Sequence, residues 1–237
     1  MSPVQALEER AQRAEGERSS AKRRLWGIGT SRTIRPHWML LELGLDYETR
    51  AILPRGEGMN DPELLRWTRR GKIPFLEDGE IRIGESGAIL FYLADRYRDH
   101  GAFAPEAGTP ARAEFEELAF FILMELDATA LYVLRRHEGL PDVYGEAPVA
   151  CAAARGYFDR QAGEMERRLA DGRPYLLGDA FSAVDILLVS CLAWAQFVSI
   201  PLAEPLLAYR NRVASRDAFG RAMQRNFPPE ALAALRP

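Results

Sequence analysis

The pattern of apolar and polar residues changes near residue 100 of this chain of 237 residues. Before that point, short apolar segments flanked by turn residues indicate four strands, at residues 24–28, 47–53, 75–76 and 81–83. Apolar residues also recur with helical spacing, first in the series Ile34, Trp38, Leu41 and Leu45. Helices are therefore predicted after an N-cap at Thr33, at residues 62–70 and at residues 85–97.

After residue 108 the strand pattern disappears, and helical spacing predicts five helices, at residues 111–137, 148–170, 182–199, 204–213 and 215–225. The third begins with Ser182 and Asp185, a pair typical of a capping box. A segment with glycine and proline, at 100–108, separates the two halves as a linker. The predicted fold class is α/β plus all-α. A thioredoxin-like domain (β-α-β-α-β-β-α) is expected at 23–99 and an all-helical domain at 109–237.

Charge and composition indicate the setting of the protein. A net charge of −3 gives no reason to expect nucleic acid or a membrane as a partner. The longest apolar run, residues 181–200, contains Asp185 and Gln196, which favours a buried core helix over a membrane span. Residues 1–24 alternate charges with alanines and lack the apolar core of a secretory signal, and we expect residues 1–22 to form a frayed or disordered arm. The isolated Cys151 and Cys191 suit a reducing compartment, which predicts a cytoplasmic protein.

The segment at 71–76 and the pair formed by Glu85 and Ser86 carry the main functional signal. Pro74 opens a strand although it cannot donate a ladder hydrogen bond. If the Ile73–Pro74 peptide bond is cis, the N–H and C=O of Ile73 point outward and can pair with another extended backbone. Glu85 and Ser86 open the next helix, whose free N–H groups favour a carboxylate. The two features together predict a receptor for a small acidic peptide.

In this order and spacing, these residues resemble those of the soluble glutathione transferases, and the resemblance extends over residues 23–227. It implies that the backbone of Ile73, before a cis Pro74, pairs with the cysteinyl backbone of glutathione. It also implies that Glu85 and Ser86 hold the γ-glutamyl group. The thioredoxin-like and all-helical domains agree with the domain order of that family.

Basic residues around these segments suit the same ligand. Lys72 lies two residues before Pro74 and can reach the glycyl carboxylate of glutathione or its peptide backbone. Arg32 lies just before the first helix, and three further arginines would make the site electropositive: Arg35, Arg69 and Arg70. Because glutathione carries a net negative charge, we expect this balance to favour its binding.

The transferase reaction needs glutathione as a thiolate, and a free thiol with a pKa of about 8.5 is mostly protonated at neutral pH. A hydroxyl that donates a hydrogen bond to the sulfur favours the anion. By resemblance, Thr30 lies where theta- and zeta-like classes place their catalytic serine. Ser31, followed by Arg32, instead matches the Ser-Arg pair of several bacterial and fungal members. Ser31 is favoured narrowly and Thr30 stays open. The absence of cysteine between Gly27 and Pro36 disfavours disulfide reduction through a protein thiol.

The resemblance implies a homodimeric enzyme that joins glutathione, its co-substrate, to a small electrophile. The alternatives are peroxide reduction or dehalogenation at the same site, and a non-catalytic binding or regulatory role. The electrophile would lie between the domains, where the candidate contacts are Phe120, Phe121, Met124, Tyr132 and Arg136. No metal is expected, because no ligand cluster is formed by His37, His100 and His137.

Overall fold

The computed structural model describes residues 23–234, and the arm predicted at residues 1–22 lies outside them. The first half contains strands β1 (Arg24–Trp26), β2 (Glu48–Arg50), β3 (Phe75–Asp78) and β4 (Ile81–Gly84). They form one sheet in the order β2-β1-β3-β4, with β1 parallel to β2 and β3 antiparallel to both of its neighbours. Three helices accompany the sheet: α1 (Ile34–Glu42), α2 (Pro62–Trp67) and α3 (Ser86–Arg96). This arrangement is the thioredoxin-like fold, as predicted.

The sheet has an apolar core on each face, because successive strand residues point to opposite sides. Leu25 and its cross-strand partner Leu76 are fully buried in the main core, which includes Trp38 of α1. Trp26 and its partner Phe75 belong to a second, smaller core with Ile52 and Leu64. Helices α1 and α3 therefore cover one face of the sheet and α2 covers the other.

Strands β1 and β2 are shorter than predicted, but their pairing continues beyond their formal ends. The N–H of Gly27 donates to the carbonyl of Arg50 at 3.0 Å. The N–H of Ile28 donates to the carbonyl of Ile52 at 2.9 Å. The chain then leaves the sheet at Gly29 and enters the turn before α1, which is where the candidate hydroxyls lie.

The described part of the second half is helical, as predicted. Its helices are α4 (Pro110–Phe121), α5 (Tyr132–His137), α6 (Pro141–Tyr144), α7 (Pro148–Leu169), α8 (Ala183–Phe197), α9 (Glu204–Ala214), α10 (Asp217–Asn226) and α11 (Pro229–Ala234). The helix predicted at 111–137 is continuous, but its middle part, Ile122–Leu131, is a π-helix. Such wide turns are found frequently at functional sites. The short helices α6 and α11 have no counterpart in the predictions.

The predicted capping box is present at the start of α8. The N–H of Ser182 donates to Oδ2 of Asp185 at 2.8 Å. Oδ1 of the same carboxylate accepts from the Leu176 N–H at 2.9 Å and from the Tyr209 hydroxyl at 2.6 Å. Asp185 thus ties the preceding loop and α9 to α8, whose side chains are mostly buried as expected for the apolar run.

Helix α1 joins the two halves of the molecule. The Trp38 ring packs against Phe181 and Phe219, with ring centroids 5.9 and 4.7 Å apart. At the end of the helix, the Glu42 carboxylate accepts two hydrogen bonds of 2.7 Å from the Arg216 guanidinium. The main core runs continuously from the sheet into the helical half. Within residues 23–234, no helix is both long enough and apolar enough to cross a membrane.

Candidate functional site

Two adjoining depressions lie between the thioredoxin-like half and the helical half. The main cleft, about 550 Å³ in volume, includes six of the predicted site residues: Arg32, Lys72, Ile73, Pro74, Glu85 and Ser86. The side pocket, about 210 Å³, includes the other two, Thr30 and Ser31. The two depressions share four lining residues: Arg32, Lys72, Ile73 and Tyr132. All eight predicted residues therefore line one continuous surface.

The backbone of Ile73 is free for a ligand. The Ile73–Pro74 peptide bond is cis. Strand pairing of β3 begins only at Phe75, opposite Gly84, and within residues 23–234 the N–H and C=O of Ile73 enter no backbone hydrogen bond. Gly27 allows this placement, since its φ is +109° and a Cβ there would lie 2.6 Å from the Ile73 Cβ. The open backbone pair can accept an extended peptide.

The start of α3 is the second element of the main cleft. Glu85 adopts a left-handed backbone conformation, with φ of 67° and ψ of 117°, in front of an eleven-residue helix. Its exposed carboxylate forms an ion pair with Arg70 at 3.2 Å. Ser86 is buried, and its Oγ accepts a hydrogen bond of 3.1 Å from the Arg35 guanidinium. The free N–H groups of this helix end and the Ser86 O–H remain available to a carboxylate.

In the turn before α1, the two candidate hydroxyls, those of Thr30 and Ser31, differ in their hydrogen bonding. Oγ1 of Thr30 accepts from the backbone N–H groups of Thr33 and Arg32, at 3.0 and 3.3 Å, and lies 2.9 Å from Oγ1 of Thr33. The Thr30 hydroxyl is therefore used within the turn. Ser31 is partly exposed at the side pocket, and its hydroxyl has no hydrogen-bond partner within residues 23–234. Of the two hydroxyls, that of Ser31 is available to a ligand.

Helix α1 begins where the sequence predicts, with Thr33 in front of it and Pro36 as its third residue. The capping role expected for the Thr33 side chain is not observed, however. Its hydroxyl donates back to the carbonyl of Thr30 at 3.0 Å and makes no cap hydrogen bond to α1. Thr33 thus stabilises the turn that presents Ser31 rather than the helix end.

A buried charge network behind the cleft was not predicted. Asp127, in the π-helix, accepts from Arg35 at 2.7 Å and from Arg32 at 3.0 Å. Arg35 is fully buried and also donates to Ser190 at 2.7 Å. Burial alone would raise the pKa of Asp127, but the charges of Arg35 and Arg32 hold it below its ordinary value. Arg32 lines both depressions, but its guanidinium is already paired with a carboxylate of the helical half.

The helical wall supplies aromatic and cationic groups. Four of the five predicted second-substrate contacts line the main cleft, namely Phe120, Met124, Tyr132 and Arg136, whereas Phe121 lines neither depression. The Arg32 guanidinium lies over the Tyr132 ring at 4.2 Å and the Arg136 guanidinium at 4.8 Å. Burial would raise the pKa of Tyr132, yet Lys72, Arg32 and Arg136 lower it below its ordinary value. The wall is thus strongly electropositive.

Comparison with known proteins agrees with this architecture. The family models for the N-terminal and C-terminal domains of glutathione S-transferase match residues 21–95 and 123–221. Glutathione S-transferase 1 of Schizosaccharomyces pombe is 30% identical over 183 residues, which are 75% of this chain and 76% of that protein. The chain belongs to the glutathione S-transferase family. The resemblance inferred from the motifs is therefore correct at the level of the family.

Solved structures of bacterial glutathione transferases are also similar to this chain. A glutathione transferase from Methylococcus capsulatus str. bath superposes with a TM-score of 0.72 at 28% identity, covering 85% of this chain and 97% of that one. A sphingomonad glutathione S-transferase complexed with glutathione gives 0.73 at 27% identity, covering 86% and 99%. Among residues 23–234, no group of three or more His, Cys, Asp or Glu side chains is arranged to hold a metal ion.

Proposed function

We propose that the protein binds glutathione in the main cleft and joins its sulfur to a small electrophile in the side pocket, where only Tyr132 of the five predicted contacts lies. The observation that carries the proposal is the continuity of three features: the open Ile73 backbone, the start of α3 at Ser86, and the unengaged hydroxyl of Ser31. A cysteinyl backbone would pair with Ile73, and the γ-glutamyl carboxylate would lie at Ser86 and the helix end. Lys72 would neutralise the glycyl carboxylate.

Ser31 is proposed as the catalytic residue. A hydrogen bond from its hydroxyl would stabilise the thiolate over the thiol, and hydrogen bonds to charged groups contribute about 1.5–3 kcal/mol. Since one pKa unit corresponds to about 1.4 kcal/mol, a single donor lowers the thiol pKa by about one to two units. The thiolate then dominates near neutral pH. Thr30, whose hydroxyl is held by Thr33, would act by maintaining the turn.

The proposed chemistry is a nucleophilic substitution or addition. The thiolate sulfur attacks an electrophilic carbon, the new C–S bond forms, and in a substitution the leaving group departs with its bonding electron pair. Relatives of the family are named as transferases, among them hmp2 of Hypomyces subiculosus, 31% identical over 172 residues. Peroxide reduction and dehalogenation give different products and binding without catalysis gives none, so product analysis separates these alternatives.

The test compares Ser31→Ala with Thr30→Ala. The ultraviolet absorbance of bound thiolate, titrated against pH, reports the thiol pKa directly. We expect Ser31→Ala to raise that pKa by about one to two units while glutathione still binds. Thr30→Ala should mainly lower thermal stability. A shift seen only in the Thr30 variant would transfer the role to Thr30, and no shift in either variant would refute hydroxyl activation. Failure of the wild-type protein to bind immobilised glutathione would refute the whole proposal.

A cytoplasmic homodimer is part of the proposal. Phe120 and Met124, about one helical turn apart, leave 60% and 53% of their surfaces exposed, which supports a protein contact at this part of the helical wall. Cys151 and Cys191 are free and buried, as suits a reducing compartment. Analytical ultracentrifugation of the full chain tests the dimer, and a monomer at micromolar concentration would contradict it.

A further inference from the structure

The side pocket has an unusual charge composition for a site that receives an electrophile. Four cationic side chains line it, those of Arg32, Arg55, Lys72 and Arg135, and its lining contains no aspartate or glutamate. Apolar ligand sites more often place a few polar groups among hydrophobic ones. The surplus of positive charge therefore needs an explanation beyond the binding of an uncharged molecule.

In the part of the chain that the structure describes, one of these cations is neutralised by a carboxylate, since Arg32 pairs with Asp127. Within residues 23–234, Arg55, Lys72 and Arg135 form no ion pair with a carboxylate. Lys72 is assigned to the glycyl carboxylate of glutathione in the proposed function. Two guanidinium groups, those of Arg55 and Arg135, are then left for the second substrate.

Aromatic rings line the same pocket and hold the cations without cancelling their charge. The Arg55 guanidinium lies 5.8 Å from the centre of the Tyr144 ring, and that of Arg136, at the neighbouring rim, lies 5.4 Å from it. Tyr132 and Trp194 complete the aromatic lining. A planar ring can stack on such faces while an acidic substituent reaches an arginine.

The backbone conformation of Arg55 supports a role for this residue in ligand binding. Its φ is 63°, in the left-handed region that non-glycine residues seldom adopt. Residues held there against their preference cluster at ligand sites. The charge of Arg135 is also uncompensated: burial lowers its pKa, and the positive charge of Arg55 lowers it further. An anion between the two arginines would offset the repulsion between their charges.

We propose that the side pocket selects an aromatic electrophile that carries an acidic group, with its ring against Tyr132 and Tyr144 and its anion at Arg55 and Arg135. This specificity rests on the proposed transferase function, because it concerns the second substrate of that reaction. Partly exposed charge pairs contribute modestly, about two- to fivefold in affinity each, so the two arginines together give about tenfold selectivity.

The experiment compares two probes, a chlorodinitrobenzoate with chlorine between the two nitro groups and the corresponding chlorodinitrobenzamide. In both, the thiolate sulfur bonds to the ring carbon, the C–Cl bond breaks, and chloride leaves with the bonding electrons. Each kcat/KM is divided by the uncatalysed rate constant with glutathione, which removes the difference in intrinsic reactivity. We expect the normalised value to favour the benzoate about tenfold.

Variants of Arg55 and Arg135 test whether these two residues cause the preference for the benzoate. In Arg55→Gln and Arg135→Gln the preference should fall about two- to fivefold each, and in the double variant toward unity. Arg160→Gln, an exposed arginine that lines neither depression, is the matched control and should keep the wild-type ratio. Since Arg55 is exposed on a loop, its variant is not expected to disturb folding.

A binding measurement makes the test independent of catalysis. Calorimetry compares dinitrobenzoate with dinitrobenzamide, which lack the leaving group, in the presence of saturating S-methylglutathione. Preference for the benzoate that disappears in the double variant supports the proposal. Equal binding of the two probes, an unchanged preference in the double variant, or displacement of S-methylglutathione by the benzoate overturns it. Turnover of both probes without preference refutes only the specificity, whereas absence of glutathione binding refutes the proposed function.

Discussion

The two walls of the cleft are built in different ways. The thioredoxin-like wall uses short segments whose geometry is local: the turn at Ser31, the bend at Pro74 and the helix start at Ser86. The helical wall contributes single side chains from long helices. One of them, Asp127, is buried and accepts hydrogen bonds from Arg35 and Arg32. Local segments can be recognised in a sequence because neighbouring residues define them. An isolated side chain acquires its role only when tertiary structure brings its partners to it.

This difference has a consequence for stability. A local segment can lose its ligand contact while the fold persists. Asp127 and Arg35 join the two halves through a buried pair, so loss of either partner leaves an uncompensated charge in the core. We therefore expect loss of the Asp127 carboxylate to lower stability strongly, whereas loss of the Ser31 hydroxyl should affect the bound ligand more than stability.

The largest effect is expected for Asp127→Asn. Removal of the carboxylate leaves the fully buried Arg35 without its counter-charge, and breaking one partner of such a pair costs about 3–5 kcal/mol. Urea unfolding at neutral pH measures the loss. The exposed Asp142→Asn, on α6, is the control and should change stability little. A loss as small as that of Asp142→Asn would contradict the assignment of Asp127 as the link between the halves.

The same variant has a defined pH dependence. The pKa of Asp127 is lowered from 3.8 in the folded protein, so its stabilisation is complete above that value and is lost as pH falls through the folded pKa. The difference in unfolding free energy between wild type and Asp127→Asn should therefore stay constant above about pH 5 and shrink below 3.8. A difference that grows in acid would contradict this.

The next effect concerns a buried group in the thioredoxin-like half, His37. The pKa of His37 is lowered from 6.5 to about 4, mainly by burial and in addition by the charge of Arg225, against the hydrogen bond to the Gly27 carbonyl at 3.2 Å. Between these values the unfolded chain binds a proton that the folded protein does not, so acid lowers stability. The shift corresponds to about 3 kcal/mol. In His37→Gln the free energy of unfolding should decline less steeply between pH 6.5 and 4.

NMR titration checks the same prediction directly. The imidazole signal of His37 should remain that of the neutral ring at pH 6, and His137→Gln helps to assign the signals. The partners fit a neutral ring in which Nε2–H donates to the Gly27 carbonyl and Nδ1 accepts from the Tyr47 hydroxyl at 2.9 Å. Protonation of His37 near pH 6.5 would contradict the burial argument. The contributions of His37 and Asp127 to stability would thus be lost in different pH ranges.

The contrast between the walls also explains which features the sequence could predict. Pro74 and the Glu85–Ser86 pair were identifiable because a proline at a strand start and a polar pair at a helix start occur in few structural contexts. Asp127 lies in a predicted helix, where an aspartate among apolar residues is compatible with several roles. Its partner Arg35 is 92 residues away, and no local pattern joins them. Likewise the π-helix keeps the apolar spacing of an ordinary helix, so its wide turn was not predictable.

The smallest expected effect distinguishes two roles of Ser86, as the hydrogen-bond partner of Arg35 and as a contact of the ligand. Its Oγ accepts from the Arg35 guanidinium at 3.1 Å, while Ser190 of α8 accepts from the same guanidinium at 2.7 Å. Ser86→Ala and Ser190→Ala should each lower stability by about 1–2 kcal/mol, because each leaves one charged donor without a partner. Calorimetry with glutathione should show about tenfold weaker binding for Ser86→Ala, which corresponds to about 1.4 kcal/mol.

Ser190 makes the control informative because it shares the donor but lines neither depression. If Ser190→Ala weakened glutathione binding as much as Ser86→Ala, the effect would come from the displaced Arg35 and not from contact with the ligand. If both variants bound glutathione normally, the start of α3 would not be part of the site. Weaker binding in Ser86→Ala alone would show that a residue of the thioredoxin-like wall contacts the ligand while sharing its support with the helical wall.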